Sequence, residues 1–365
     1  MQRCSRCLLV SSLPGSRFDG EGVCSWCRSG YPNYVPRGPE ELRRELLAHR
    51  NASAPADCMV GVSGGKDSSY VLLELKRTFG MRVEAFTYDH DGVTDFARRN
   101  AREVCDSLGV RLHTVSLPGH AHLESFRTFF RAWLRSPGPV SGAMVCVACK
   151  HLHTLGCALA RSRGIPMMVW SNCPLEYSPF LVIGKSADGL KRQSMLSSAM
   201  HFAGEMARSP ALATGVLRHF RIALEGCLAF APTTGYIRWR YPSLKQIFFF
   251  EYCEWDEQRI LKSLKEATPW RVPQEIRQDW HSDCVFNVFK EFIFQKTLGV
   301  SYTDGFLSNR IRHGQISRAE GAQLLAESKR FFAERLPYAI QATGLDRLAD
   351  DIDASCFEGA LEDSE

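Results

Sequence analysis

The segment Cys58-Met-Val-Gly-Val-Ser-Gly-Gly-Lys-Asp-Ser-Ser69 constrains the fold of this chain more than any other. A short apolar run ends on paired glycines, and an amphipathic stretch bearing Tyr70, Leu73, Leu75 and Phe79 begins at once. That order reads as strand, tight turn and helix. Glycines in the turn admit backbone angles and close approaches that a Cβ forbids. Turn amides and the positive end of the helix dipole then converge on one place, which makes an anion site. Ser63, Gly64 and Gly65 supply the turn, Lys66 a full charge, and Ser68 and Ser69 hydroxyl donors. The Walker A spacing is absent. Only Val62, Ser63 and Gly64 separate Gly61 from Gly65, and Asp67 follows the lysine. A plain tight turn is the alternative.

Beyond this turn, apolar runs alternate with amphipathic stretches. Strands are expected at Cys58–Val62, Val83–Tyr88, Arg111–Val115 and Pro166–Trp170. Helices are expected at Asp67–Phe79, Thr94–Leu108 (with Thr94 as N-cap), His122–Leu134 and Lys150–Arg163. Strands separated by helices of this length predict an α/β fold with a parallel sheet covered on both faces. Its ligand edge lies beyond the strand C-termini. The expected division is a Cys4 module at 1–35, the α/β domain at 50–180, a helical insert or lid at 181–250, a mainly helical region at 251–347 and an acidic tail at 348–365. In the insert, Met195–Ala207 and Ala211–Phe230 have helical periodicity; in the C-terminal region, Asp256–Glu266, Asn287–Thr297 and Ser317–Arg335 do.

Fourteen cysteines in a chain without an apolar leader point to metal or thiol chemistry rather than disulfides. Cys4-x2-Cys7-x16-Cys24-x2-Cys27 has the spacing of a closed four-thiolate zinc site, a zinc ribbon whose metal supplies the folding energy. Cys146-Val-Ala-Cys149 stands near the ligand edge, with Cys284 far along the chain and Cys157 and Cys173 as other third partners. Cys58, Cys105, Cys227 and Cys253 sit in apolar runs and read as core. His151 and His153, two apart, do not share a helix face. Composition is that of a globular protein, 45% hydrophobic and 23% charged, with no apolar run long enough to span a membrane, and predicts a cytoplasmic protein. The net charge of +5 includes seven acidic residues from Leu348 to Glu365, so residues 1–347 carry +12. An anionic substrate fits that excess, as does an ordinary solvated surface. No long basic run or aromatic-and-basic ladder marks a nucleic-acid partner, and a small-molecule substrate is preferred without excluding tRNA.

Ser63-Gly-Gly-Lys-Asp-Ser68 resembles the PP-loop of the ATP pyrophosphatase superfamily, which includes thiouridine synthetases, asparagine and GMP synthetases, and sugar amidotransferases. The resemblance implies an adenine-nucleotide alpha-hydrolase-like (HUP) sheet and ATP bound with Mg2+. It also implies adenylation of a carbonyl or amide oxygen, with AMP and pyrophosphate released. Lys66 would stabilise the leaving pyrophosphate and Asp67 would place Mg2+ or the loop, although Asp67 also reads as a helix N-terminal acid. Asp89, with His90 and Asp91, follows the strand where adenine and ribose lie in this superfamily; Ser171, Asn172 and Glu176 follow another strand end. In sulfur-transferring members a CxxC and a distant cysteine hold a [4Fe-4S] cluster, and Cys146, Cys149 and Cys284 look like that set. A second zinc site or an inert CxxC are the competing readings.

The layout as a whole resembles the N-acetyl sugar amidotransferases of surface-polysaccharide and nonulosonic-acid pathways. Cys4-x2-Cys7 with Phe18-Asp-Gly-Glu-Gly-Val-Cys24-Ser-Trp-Cys27, the loop Ser63–Ser68, and Arg310-Ile-Arg-His-Gly-Gln-Ile-Ser-Arg-Ala-Glu320 carry that match. It implies amidine formation with ammonia from a separate glutaminase subunit. The alternatives are an iron–sulfur-dependent sulfur transferase with its own sulfur donor, and a degenerate nucleotide-binding partner protein. Oligomeric state stays open, a homodimer included.

Overall fold

A computed structural model describes residues 2–13, 15–30, 34–176, 195–272 and 283–358. Five parallel strands, β1 (Cys58–Gly61), β2 (Val83–Tyr88), β3 (Arg111–Val115), β4 (Met167–Trp170) and β5 (Lys245–Phe248), form one sheet in the order β3-β2-β1-β4-β5. Period-2 alternation sorts the side chains of each strand between the two faces. Val60, Ala85, Val169 and Ile247 join one core with helix Lys66–Arg77. Met59, Phe86, Met168 and Trp170 join another with Cys157 and Ala160 of helix His151–Ser162. Both faces are covered, as runs such as Cys-Met-Val require. The order reverses between β1 and β4, so the crevice of a doubly wound sheet opens beyond their C-terminal ends.

The expected α/β fold is the one observed, with its helices matched within a residue or two over the first 170 residues. Three departures have local causes. β5 comes from the end of the stretch taken as a helical insert. Ala211–Phe230 divides at His219 into helices Pro210–Arg218 and Phe220–Leu228. Helix Tyr302–Arg312 is buried from Thr303 to Arg310 and presents no amphipathic pattern to detect. Cys58 and Cys105 are core, but Cys227 is exposed. Gly184–Lys191 of the insert and the last seven residues of the acidic tail lie outside the described residues.

A second core gathers around helix Ala121–Arg135, where Phe126, Phe130 and Trp133 pack on Phe286, Phe289 and Phe292 of helix Phe286–Leu298 and on Phe332 of helix Arg318–Ala342. The cysteine module docks on this C-terminal part. Arg3 pairs with Asp304 at 3.1 Å, the Leu8 amide donates to Ser308 Oγ at 3.1 Å, and Arg318 Nε donates to the carbonyls of Cys4 and Cys7 at 3.2 and 3.3 Å.

Candidate active site

A cavity of about 380 Å³ opens beyond the C-terminal ends of the central strands. Its lining brings together Ser63, Gly65, Lys66, Asp67 and Ser68 of the glycine turn, Ser171, Asn172 and Glu176 after β4, and both Cys149 and Cys284. Residues 200 apart in sequence therefore meet where the sheet topology expects a ligand.

The turn is organised by its own hydroxyls. Ser68 Oγ accepts from the Ser63 amide at 3.1 Å and donates to the Gly65 carbonyl at 3.3 Å, while Ser63 Oγ accepts from the Gly65 amide at 3.2 Å. Gly64 does not line the cavity. Its φ is +87°, its carbonyl accepts from Asn100 Nδ2 (3.2 Å) and Trp270 Nε1 (3.0 Å), and a Cβ there would meet the Ala97 carbonyl oxygen at 2.0 Å. Glycine is required here by helix Asp95–Ser107, which passes behind the turn. Gly64→Ala is expected to cost on the order of 3 kcal/mol, read as a shifted denaturation midpoint, because backbone strain adds to the clash. Ser69 is fully buried, and its hydroxyl faces the interior.

Lys66 is 3% exposed, and its Nζ lies 3.6 Å from Glu257 Oε1. The other oxygen of Glu257 takes Arg310 Nη1 at 2.9 Å. Asp67 Oδ1 accepts from Trp255 Nε1 at 2.9 Å, and the Trp255 carbonyl accepts from Gln315 Nε2 at 2.7 Å. The Arg310–Glu320 string thus reaches the loop at one end and the cysteine module at the other, where Arg312 Nη1 approaches Cys27 Sγ at 3.9 Å.

Asp89 stands apart from the cavity. Its carboxylate is held by Arg98 Nε at 2.9 Å and is not part of the lining; His90, the next residue, is. Burial brings the His90 imidazole down to about 4, so it stands neutral. Asp283 was not anticipated. Its Oδ2 lies 3.6 Å from where a Gly65 Cβ would be, and burial raises its carboxyl above the usual range against a bond from the Ser63 hydroxyl. Thr94 occupies its N-cap position, but its hydroxyl donates to the Asp283 carbonyl at 3.3 Å and so tethers that segment instead of capping.

Beside the cavity, Cys149 Sγ lies 3.4 Å from His122 Nε2, and His122 Nδ1 lies 2.9 Å from the Tyr88 hydroxyl. That hydroxyl donates its only proton to the Ala148 carbonyl at 3.2 Å. It therefore accepts from Nδ1–H, which leaves Nε2 as the acceptor facing the thiol. Burial holds His122 at about 2, neutral. Cys146 is drawn down to about 7 by the Cys149 thiol beside it, while that same bond and burial push Cys149 up. Cys284 stands in a β-bridge with Val93. Its sulfur does not come within 4.8 Å of both partners; among the described residues only Cys4, Cys7, Cys24 and Cys27 form so tight a metal-ligating group. Cys157 and Cys173 are buried away from the lining. His151 and His153 instead bond the Ile222 and Ala229 carbonyls at 3.1 and 2.7 Å.

The module at the N-terminus fits a four-thiolate ion. Cys4 Sγ accepts from the amides of Cys24 (3.2 Å) and Arg6 (3.4 Å), the outer bonds that thiolate ligands use to spread their charge.

No family model matches the chain. Its sequence is 34% identical over 105 residues to the tRNA-specific 2-thiouridylase MnmA of Hahella chejuensis, covering 26% of this chain and 27% of that protein. It is 35% identical over 91 residues to MnmA of Methylococcus capsulatus, covering 22% and 24%. The chain thus spans about a quarter of the length of the curated relatives it matches. The structure of the U34-tRNA thiolase NcsA from Methanococcus maripaludis, with its [4Fe-4S] cluster, aligns over 86% of this chain and 87% of that one, at 12% identity and a TM-score of 0.32. No described helix is long and apolar enough to cross a membrane. With the Ser63–Ser69 turn set between β1 and a helix at the sheet's switch point, the matched stretches support the PP-loop ATP pyrophosphatase superfamily as the setting of this site.

Proposed function

We propose that the protein activates a carbonyl or amide oxygen with ATP and replaces it by sulfur. The observation that carries this is the shared cavity, in which the anion-binding turn and two cysteines line one space. In the first step the acceptor oxygen attacks the α-phosphorus, the bond to the bridging oxygen breaks, and pyrophosphate leaves. In the second, the sulfur nucleophile adds to the carbon, the C–O bond breaks, and AMP departs with the oxygen. Lys66 and the helix N-terminus carry the charge of the departing pyrophosphate. Asp67, which lines the cavity, would be the loop's carboxylate for holding Mg2+, which would supply charge neutralisation to the departing pyrophosphate. Cys149, its S–H oriented by the neutral His122 Nε2 at 3.4 Å, would position the incoming hydrosulfide, which itself forms the new C–S bond. The Cys4, Cys7, Cys24 and Cys27 module would hold a structural zinc. Cys146, Cys149 and Cys284 would be the ligands of an iron–sulfur cluster if one is carried.

A second reading is favoured by a separate observation. Arg310–Glu320 joins the cysteine module to the loop through Arg318, Arg312 and Arg310. This is the set of segments that resembles the N-acetyl sugar amidotransferases, in which ammonia displaces AMP. One comparison separates the two. Cys149→Ala is expected to retain ATP–pyrophosphate exchange but lose AMP release with a sulfide donor by about 10²-fold, the usual cost of misplacing a reacting group. Full AMP release from that variant with ammonium ions would favour nitrogen transfer.

A further inference from the structure

Away from the cavity, four arginines face one groove. Arg131 and Arg135 come from the end of helix Ala121–Arg135, Arg208 from the end of helix Met195–Arg208, and Arg218 from helix Pro210–Arg218. Ser136, Ser209 and Thr214 add polar lining, and no carboxylate does. The groove encloses about 700 Å³. All four arginines are exposed, and among the described residues none has a side-chain hydrogen bond, ion pair or ring contact. Arg127, one turn earlier, shows the contrast: it is spent on Glu124 Oε1 at 2.8 Å and the Thr343 carbonyl at 2.6 Å.

Four exposed guanidinium groups around one groove give it a positive potential that anionic charge between them complements. A single small anion is too little for the space. The groove continues past Arg131 and Arg135 into a second cavity that also includes Arg347, with Asp346 and Asp351 closing that end. Arg131 and Arg135 lie about 6 Å apart along their helix, of the order of the step between phosphates in an extended strand. The groove is concave, whereas a lipid surface is flat and would reach only its rim.

We propose that this groove binds a single nucleic-acid strand through its phosphates. The helix that carries Arg131 and Arg135 also carries His122 near its start, beside Cys149. Nine residues at 1.5 Å rise put Arg131 about 14 Å from the cavity rim, within a few nucleotides' reach. The sequence hides this site because its four arginines come from three helices and form no run. The inference concerns binding and does not depend on which nucleophile displaces AMP.

The test is anisotropy titration of a labelled 20-residue oligouridylate with the full chain, without ATP, over a series of salt concentrations. Four phosphate contacts predict a log–log salt slope of about −3. The double substitution Arg131→Gln with Arg135→Gln is expected to weaken binding by about tenfold and flatten the slope by about 1.4. Both side chains are exposed, so unchanged thermal melting should accompany the loss. Three results would overturn the proposal: no oligouridylate binding at about 50 mM salt, binding indifferent to the double substitution, or displacement by tripolyphosphate at equal phosphate concentration. Because the assay contains no ATP, any of these leaves the adenylation reading standing.

Discussion

Lys66→Ala should reduce ATP–pyrophosphate exchange and AMP formation by about 10²- to 10³-fold, the usual consequence of removing one preorganised charge from a developing anion. The fold should survive. Glu257, the partner of Lys66 at 3.6 Å, keeps Arg310 at 2.9 Å, so no buried carboxylate is stranded. The decline belongs in kcat more than in KM, because negative charge on the pyrophosphate grows as its bond to the α-phosphorus lengthens. Exchange at the wild-type rate would remove the turn from the reaction and leave the sulfur and nitrogen readings equally without support.

Removal of the N-terminal metal carries the second large effect. Chelation, or Cys4→Ser, is expected to unfold residues 2–30 altogether. The module's own core is small, with Leu9, Leu13, Val23 and Trp26 its main apolar members. A structural zinc in such a segment supplies about 10–16 kcal/mol, which nothing else in the module can replace. Metal analysis should fall by one ion per chain, and limited proteolysis should cut within the first thirty residues while the α/β domain stays resistant. The loss should also reach the loop, since Arg318 and Arg312 would lose their partners in the module and loosen the helices that hold Arg310 against Glu257. A wild-type proteolysis pattern after metal loss would mean that packing on Asp304 and Ser308 holds the module by itself.

Strands β2 and β3 could be bounded from the sequence because both are flanked by helices whose periodicity is distinct. β5 could not, since four residues at a sheet edge follow a stretch with no clear rhythm. The Ala211–Phe230 helix looked continuous because apolar spacing persists through His219, although the backbone turns there. Within the site, Lys66, Ser68 and Ser171, singled out from the glycine turn and the strand ends, line the cavity. Asp89 meets Arg98 instead, a partner from the following helix that no local pattern reveals, while Thr87, Tyr88 and His90 line the cavity. Gly64 was read as part of the glycine turn, and its need for glycine comes from Ala97, a partner that only tertiary packing reveals. Asp283 and His122 had no local signature at all.

The contacts that seat the cysteine module join residues about 300 positions apart: Arg3 with Asp304, and Leu8 with Ser308. The module is synthesised about 300 residues before its docking surface. At about 5–20 residues per second, it waits some 15–60 s for that surface to be made. Throughout that interval a metal held by Cys4, Cys7, Cys24 and Cys27 would be what keeps it ordered, so a cell short of that metal during translation would produce chains whose cysteine module never finds its seat.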